Sequence, residues 1–151
     1  MADSIEQLSF ELSLNALAEQ ERTLISLRGC AGTVLGAASI ASSFMGAKAS
    51  GGSFDVWAIS ATVWFVLCVV SAIWVLLPHE LTFACRGERL FFASSNRRPV
   101  DVTEAYLAGG AWIESFVRAN ASKLAELAAW LTLSCLLLAA EVVFWTISLV
   151  R

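Results

Sequence analysis

The chain has 151 residues, of which 58% are hydrophobic and only 15% are charged, and its formal net charge is −3. An average soluble domain is about 45–50% apolar and about a quarter charged, and a water-soluble domain of this size cannot bury so much apolar surface in one core. The composition therefore excludes intrinsic disorder, a disulfide-stapled secreted domain and a strongly basic nucleic-acid binder. It predicts an integral membrane protein.

Three apolar segments can each cross a bilayer, for which a helix needs roughly 20 residues. They are residues 30–47, residues 56–77, which end at Pro78, and residues 127–150, in which Glu141 is the only charged residue. The fold class expected is an all-α membrane protein with three transmembrane helices and helical cytoplasmic extensions.

The distribution of Lys and Arg predicts the orientation, because these residues are enriched in cytoplasmic segments. Residues 78–126 hold six of them and residues 1–29 hold two, whereas the short connection over residues 48–55 offers only Lys48. Residues 1–29 and 78–126 are therefore expected in the cytoplasm, and residues 48–55 form an external loop. With three crossings, the C-terminus lies outside.

The two cytoplasmic segments are expected to be mostly helical. Residues 1–29 repeat leucine and isoleucine near helical spacing and predict an amphipathic helix that continues into the first span. Asp101 with Glu104 is a possible helix cap, and a long helix is expected from about Ala111 to Val150, so that it projects from the third span. Between them, residues 81–85 and 90–93 predict a short cytoplasmic β-hairpin.

Small residues follow one face of the first span at helical spacing. They are Gly29, Gly32, Gly36, Ser39, Ser43 and Gly46. Small residues let helix backbones approach closely in lipid, where helices are not driven together by hydrophobicity. The face either packs against the other two spans of the same chain or forms a subunit interface or pore-facing stripe.

Glu141 is the charged residue of the third span, and helical rise places Ser43 and Thr62 at a similar depth. A charged acid in mid-bilayer costs at least about 2.5 kcal/mol and seldom faces lipid. Glu141 is either neutral and hydrogen-bonded to Ser42, Ser43 or Thr62, or it lines a cation pathway in an oligomer.

The remaining candidates are cationic. Arg86, Arg89, Arg97 and Arg98 either bind phosphates of a nucleotide, oligonucleotide or acidic lipid, or serve only membrane topology. His79 is the only histidine, so no metal site is expected. The sequence holds no Ser-His-Asp set, P-loop or dinucleotide-binding glycine motif. We expect no enzyme, no catalytic residue and no cofactor.

The arrangement resembles small bacterial membrane effectors of nucleotide-signalled antiphage systems, the SLATT-type and Pycsar-type proteins. The resemblance is carried by Glu19-x-x-Arg22, by Arg28-x-x-x-Gly32-x-x-x-Gly36 and by Glu141-Val-Val-x-Trp145. It implies a homo-oligomer in the bacterial inner membrane that responds to a cytoplasmic signal and permeabilises the bilayer. It also implies a nucleotide or oligonucleotide signal and an enzyme partner encoded by a neighbouring gene.

These features together predict an oligomeric inner-membrane channel or membrane-disrupting effector, gated by a cytoplasmic signal in bacterial defence. The alternative is a non-conducting membrane anchor or scaffold, or a small subunit of a membrane complex. The lipid bilayer is the one partner common to all of them.

Overall fold

The computed structural model describes residues 5–50, 56–83 and 102–150, with side chains described as far as residue 43 in the first range. These residues form three helices, α1 (Ile5–Ser50), α2 (Val56–Leu76) and α3 (Val102–Val150). Both prolines of the chain lie outside them, because proline cannot donate the backbone hydrogen bond that a helix interior needs. Pro78 follows α2, and Pro99 precedes α3.

The all-α prediction is confirmed, and each of the three helices is long and apolar enough to cross a membrane. α1 runs through Gly29 without interruption, so that the predicted amphipathic helix and first span are one element. α2 ends one residue before the predicted boundary. α3 begins at Val102, well before the predicted start near Ala111.

The predicted β-hairpin is not found, since the described residues contain no strand. Its first three residues, 81–83, are irregular, and residues 84–93 lie outside the described ranges. The side chain of Asn120 on α3 donates to the carbonyl of Thr82 at 2.9 Å and accepts from its backbone N–H at 3.3 Å. The Asn120 side chain thus makes the two backbone hydrogen bonds at Thr82 that the predicted hairpin assigns to a neighbouring strand.

Buried positions recur every seven residues in all three helices. The series on α3, called the α3 series below, consists of residues that are each at most 3% exposed: Ile113, Asn120, Leu127, Ser134, Glu141 and Ser148. The corresponding series are Leu17, Leu24, Ala31 and Ala38 on α1, and Ala61, Cys68 and Val75 on α2. Seven-residue spacing is the pattern of helices that pack side by side with interlocking side chains.

The chain divides into two compact units. Unit 1 comprises Met1–Leu24 and His79–Ala125, and unit 2 comprises Ile25–Pro78 and Glu126–Arg151. These borders fall close to those between the predicted cytoplasmic and membrane segments.

In unit 1, α1 and α3 approach closely at a pair of buried glycines, Gly109 and Gly110. A Cβ atom on Gly110 would lie 3.9 Å from the Cα of Phe10, and the rings of Phe10 and Tyr106 are 5.6 Å apart. Gln20 donates to the carbonyl of Val117 at 2.8 Å. The glycine pair therefore continues the helix and makes room for α1, although glycine lowers helix propensity.

In unit 2 the helices meet through alanines, which are the smallest side chains after glycine. Five of them have no exposed surface: Ala31, Ala38, Ala58, Ala61 and Ala72. Larger residues fill the space between them, in a cluster of Val34, Ala38, Cys68 and Leu137. Trp74 packs on Trp130 with ring centroids 6.2 Å apart. Close approach through small residues is typical of helices that associate in lipid.

The outer surface of unit 2 is apolar. Large aliphatic side chains there are 44–65% exposed, including Val63, Val66, Val70, Ile73, Leu136 and Val143. A soluble monomer rarely exposes an apolar surface of this extent. Apolar side chains face outwards while Ser71, Ser134 and Glu141 are buried, which is the distribution expected of a membrane protein.

Candidate functional site

Glu141 belongs to the α3 series and lies in the interior of unit 2, with no exposed surface. Helical geometry places it there, because it lies seven residues, or about two turns, beyond Ser134 and before Ser148 in a series that is buried throughout. The carboxyl group therefore faces the helices of its own chain.

Neither carboxyl oxygen of Glu141 accepts a hydrogen bond from the described residues. Buried polar groups are nearly always paired. Trp145, one turn further along α3, is 2% exposed, and its indole N–H lies close enough to Glu141 to influence the carboxyl group without reaching hydrogen-bonding geometry. Two unpaired acceptors and one unpaired donor thus lie next to each other in the core of unit 2.

The predicted hydrogen-bond partners of Glu141 bind elsewhere. The hydroxyl of Ser42 donates to the carbonyl of Ser39 at 2.9 Å, and that of Ser43 to the carbonyl of Ile40 at 2.6 Å. Thr62 donates to the carbonyl of Ala58 at 2.9 Å. These hydroxyls satisfy their own helices, as serine and threonine commonly do within helices.

Trp145 is also placed differently from its prediction. The sequence favours Trp57 and Trp145 as residues of an aromatic belt at the outer membrane boundary. Trp145 instead packs against Ala58 and Ala61 in a buried cluster. Trp57 is half-buried and lies 5.7 Å from Phe144, measured between ring centroids. The two small alanines leave the space that the buried indole fills.

A second polar group in the core of unit 2, by contrast, is fully paired. The hydroxyls of Ser71 and Ser134 are 2.8 Å apart, and each also reaches a carbonyl of its own helix. The Cys68 thiol donates to the carbonyl of Ser134 at 3.4 Å. Sequence reasoning missed these three residues. The seven-residue spacing of Ser134 and Glu141 would have identified Ser134.

The small residues of α1 face away from the alanine-lined core. A Cβ atom added to Gly29, Gly32 or Gly36 would meet nothing within 4 Å, and Ser39 and Ser43 are exposed. The side-chain surroundings of position 46 lie outside the described residues. Packing of the three glycines against the other spans of the same chain is therefore absent. The exposed residues Gly29, Gly32, Gly36, Ser39 and Ser43 are called the small-residue face below.

A pocket of about 380 Å³ lies in unit 1 between α1 and α3. It is lined by Ile5, Leu8, Ser9, Leu12, Ser13, Ala16, Glu114 and Val117. Of the apolar face predicted for the N-terminal helix, Leu17 and Leu24 are buried, whereas Leu8 and Leu12 are about half exposed, at 48% and 60%. The amphipathic face is thus only partly covered within unit 1.

The structure does not test the predicted anion-binding arginines. Arg86, Arg89, Arg97 and Arg98 lie outside the described residues. Within the described part of the chain, no group of three or more His, Cys, Asp or Glu side chains is arranged to hold a metal ion.

Comparison with known proteins assigns no relative to the chain: no family model, no curated protein and no solved structure matches it.

Proposed function

We propose that this chain is an oligomeric membrane channel or membrane-disrupting effector. The observation that carries the proposal is Glu141, a carboxyl group without a partner in the core of the apolar unit. Ionisable residues inside membrane helices are costly, and they commonly mark ion or proton pathways. A protein that needed Glu141 only for packing would be served better by leucine.

The pathway that we propose runs through each protomer. Glu141 has no exposed surface in its own chain, so an axis between subunits would not meet the carboxyl group without a rearrangement. The carboxyl group is fully enclosed, so we propose that this arrangement is the closed state of the pathway. We propose that Thr62 and Ser42, which are each half-buried, also line that pathway.

Assembly is proposed to use the small-residue face together with Gly46. The face is exposed, it has open space over its glycines, and it lies on the helix that also packs against the core through alanines. Gly32 and Gly36 form the small-x-x-x-small spacing that brings two helix backbones into contact. A second copy of the chain is the partner that we propose.

We propose the membrane orientation, the anionic signal and the biological role from the sequence. Lys and Arg concentrate in residues 78–126, which supports a cytoplasmic position for this segment, a cytoplasmic N-terminus and an external C-terminus. The resemblance alone implies a bacterial inner membrane. The four arginines at positions 86, 89, 97 and 98 are proposed to bind an anionic signal such as a nucleotide. A role in antiphage defence follows from the resemblance alone.

Cysteine cross-linking tests the assembly. Ser39→Cys is made in a chain whose native exposed cysteines, together with Cys85, are replaced by serine, and membranes are treated with a mild oxidant. We expect a covalent dimer. The matched control restores only Cys30, which is exposed on the same helix but lies about 140° around it from the middle of the small-residue face, at 100° per residue. Equal dimer yields from both positions would contradict the proposed interface.

Expression in cells tests conduction. Induced wild-type chain should depolarise the membrane or arrest growth, and Glu141→Gln and Gly36→Leu should each relieve the effect. Ala37→Leu is the matched control for Gly36→Leu, because Ala37 is exposed but lies off the small-residue face. An unchanged membrane potential under strong expression, with and without the neighbouring genes, would favour the non-conducting anchor or scaffold.

A further inference from the structure

The unpaired groups in the core of unit 2 define what a ligand at this position must offer. The two oxygens of Glu141 lack a donor, and the indole N–H of Trp145 lacks an acceptor. Both side chains are at most 2% exposed, so the ligand must be small. The nearby hydroxyls of Ser71 and Ser134 are already paired with each other.

A divalent metal cation does not fit this environment. Hard cations such as Ca²⁺ and Mg²⁺ take six or more oxygen ligands. Glu141 offers two oxygens, and no cluster of ligating side chains surrounds it in the described part of the chain. The alanines and tryptophan that pack nearby offer no oxygen from their side chains.

A proton requires one oxygen atom and almost no space. On binding it removes the charge of the carboxylate, which is the species that a dry core cannot accommodate without a partner. Among the described residues, no cation lies close enough to Glu141 to take over that role. On α1, residues 31–43 carry no titratable group, and the titratable group of α2 that interacts electrostatically with Glu141 is the Cys68 thiol.

We infer that Glu141 is a proton-binding site and that the proton is the ion carried by the proposed pathway. The inference rests on the proposed function, because it names the permeant ion of the same site. In the protonated state one oxygen carries the O–H group, and the other remains available to accept the indole N–H of Trp145. Loss of the proton leaves a negative charge in the core that no described cation balances, which favours opening of the helices and entry of water.

Labelling with dicyclohexylcarbodiimide tests proton binding without a variant. This apolar reagent reacts with a protonated carboxyl group in an apolar environment. The acid proton moves to a carbodiimide nitrogen, and the carboxylate oxygen bonds to the central carbon. The O-acylisourea then rearranges to an N-acylurea, so that the whole reagent is added and no group leaves.

We expect one adduct, mapped by mass spectrometry of peptides to Glu141, when the purified protein is labelled in phosphatidylcholine vesicles at pH 7. Glu141→Gln should abolish this adduct, whereas Glu104→Gln, at an exposed position in unit 1, should leave it unchanged. Absence of an adduct on Glu141 at every reagent concentration, up to those at which exposed carboxyl groups also begin to react, would overturn the inference.

Ion flux in proteoliposomes tests transport. Proton uptake is followed with an internal pH dye under a potassium diffusion potential set by valinomycin, and Na⁺ flux is followed in parallel. Wild-type protein should raise proton flux at least tenfold over protein-free vesicles, and Glu141→Gln should return it to the baseline. Circular dichroism confirms that the variant retains its helices.

The results of these experiments distinguish failure of proton transport from failure of the proposed channel. Sodium flux that Glu141→Gln leaves intact would overturn proton carriage while upholding the channel. Absence of flux of either ion from inserted, oligomeric protein would contradict the proposed channel, and the carbodiimide result then decides whether Glu141 binds a proton.

Discussion

Asn120 and Glu141 occupy the same helical position, three repeats apart in the α3 series, and both are buried. In unit 1, Asn120 pairs with both the N–H and the carbonyl of Thr82. In unit 2, both oxygens of Glu141 are without a partner. The first polar group stabilises a non-helical segment, whereas the second destabilises its surroundings. A destabilising residue in a well-packed core is the kind of residue that is kept for function.

The largest effect on stability is expected from Asn120→Leu. The substitution leaves two backbone groups of Thr82 without their partner, and a lost buried hydrogen bond costs about 1–3 kcal/mol. The free energy of unfolding, measured by denaturant titration in detergent, should fall by about that amount. Ser122→Leu, two residues away at an exposed position, is the control and should have little effect. Equal stability of Asn120→Leu and wild type would show that the Thr82 contact is dispensable.

Glu141→Leu is expected to raise the free energy of unfolding instead of lowering it. Leucine has a similar volume to glutamate but carries no polar group that must remain unpaired in the core, and burying such a group costs about 1–3 kcal/mol. We predict that the free energy of unfolding rises by about 1–2 kcal/mol while ion flux is lost. A loss of stability comparable to that of Asn120→Leu would mean that Glu141 has a partner and a structural role.

A smaller effect is expected at the paired serines of unit 2. A double-mutant cycle with Ser71→Ala and Ser134→Ala should give a coupling free energy of about 0.6 kcal/mol, which is typical of hydrogen bonds between membrane helices. Unfolding in mixed micelles is the measurement. A coupling of zero would indicate that the 2.8 Å contact contributes nothing to helix association.

The smallest effect is expected from Arg118→Ala on the surface of unit 1. Arg118 donates to Glu114 at 2.7 Å, and this contact raises the pKa of the guanidinium group. Both side chains are exposed, and exposed ion pairs contribute little because water screens them. The unfolding midpoint should not change measurably, at either low or high salt. A clear, salt-dependent loss of stability would show that this ion pair has a structural role.

Much of the fold is predictable from composition and helix-breaking residues. Three apolar segments predict the three helices, and the position of Pro78 predicts the bounds of α2 to within one residue. The possible cap of Asp101 with Glu104 agrees with the start of α3 at Val102, whereas the start near Ala111 is too late, because Gly109 and Gly110 disfavour a helix unless another backbone lies against them. That backbone belongs to α1 near Phe10, a contact between distant parts of the chain that no local pattern reveals.

The site was only partly predictable. Glu141 is identifiable from sequence because a lone acid in an apolar segment is rare. Burial of Trp145 depends on Ala58 and Ala61 lying opposite it, and so on the register between two helices. The orientation of the small-residue face depends on which face of α1 packs inside the chain. Alanines take that position, so the glycines are left outside.

The most direct test of the central claim is the current carried by purified protein in a planar lipid bilayer with a pH difference across it. We predict a current whose reversal potential follows the pH gradient for wild type, and no current above the lipid baseline for Glu141→Gln. No current from wild-type protein that is demonstrably inserted, or an equal current from the variant, would contradict the claim that Glu141 lies in the conducting pathway.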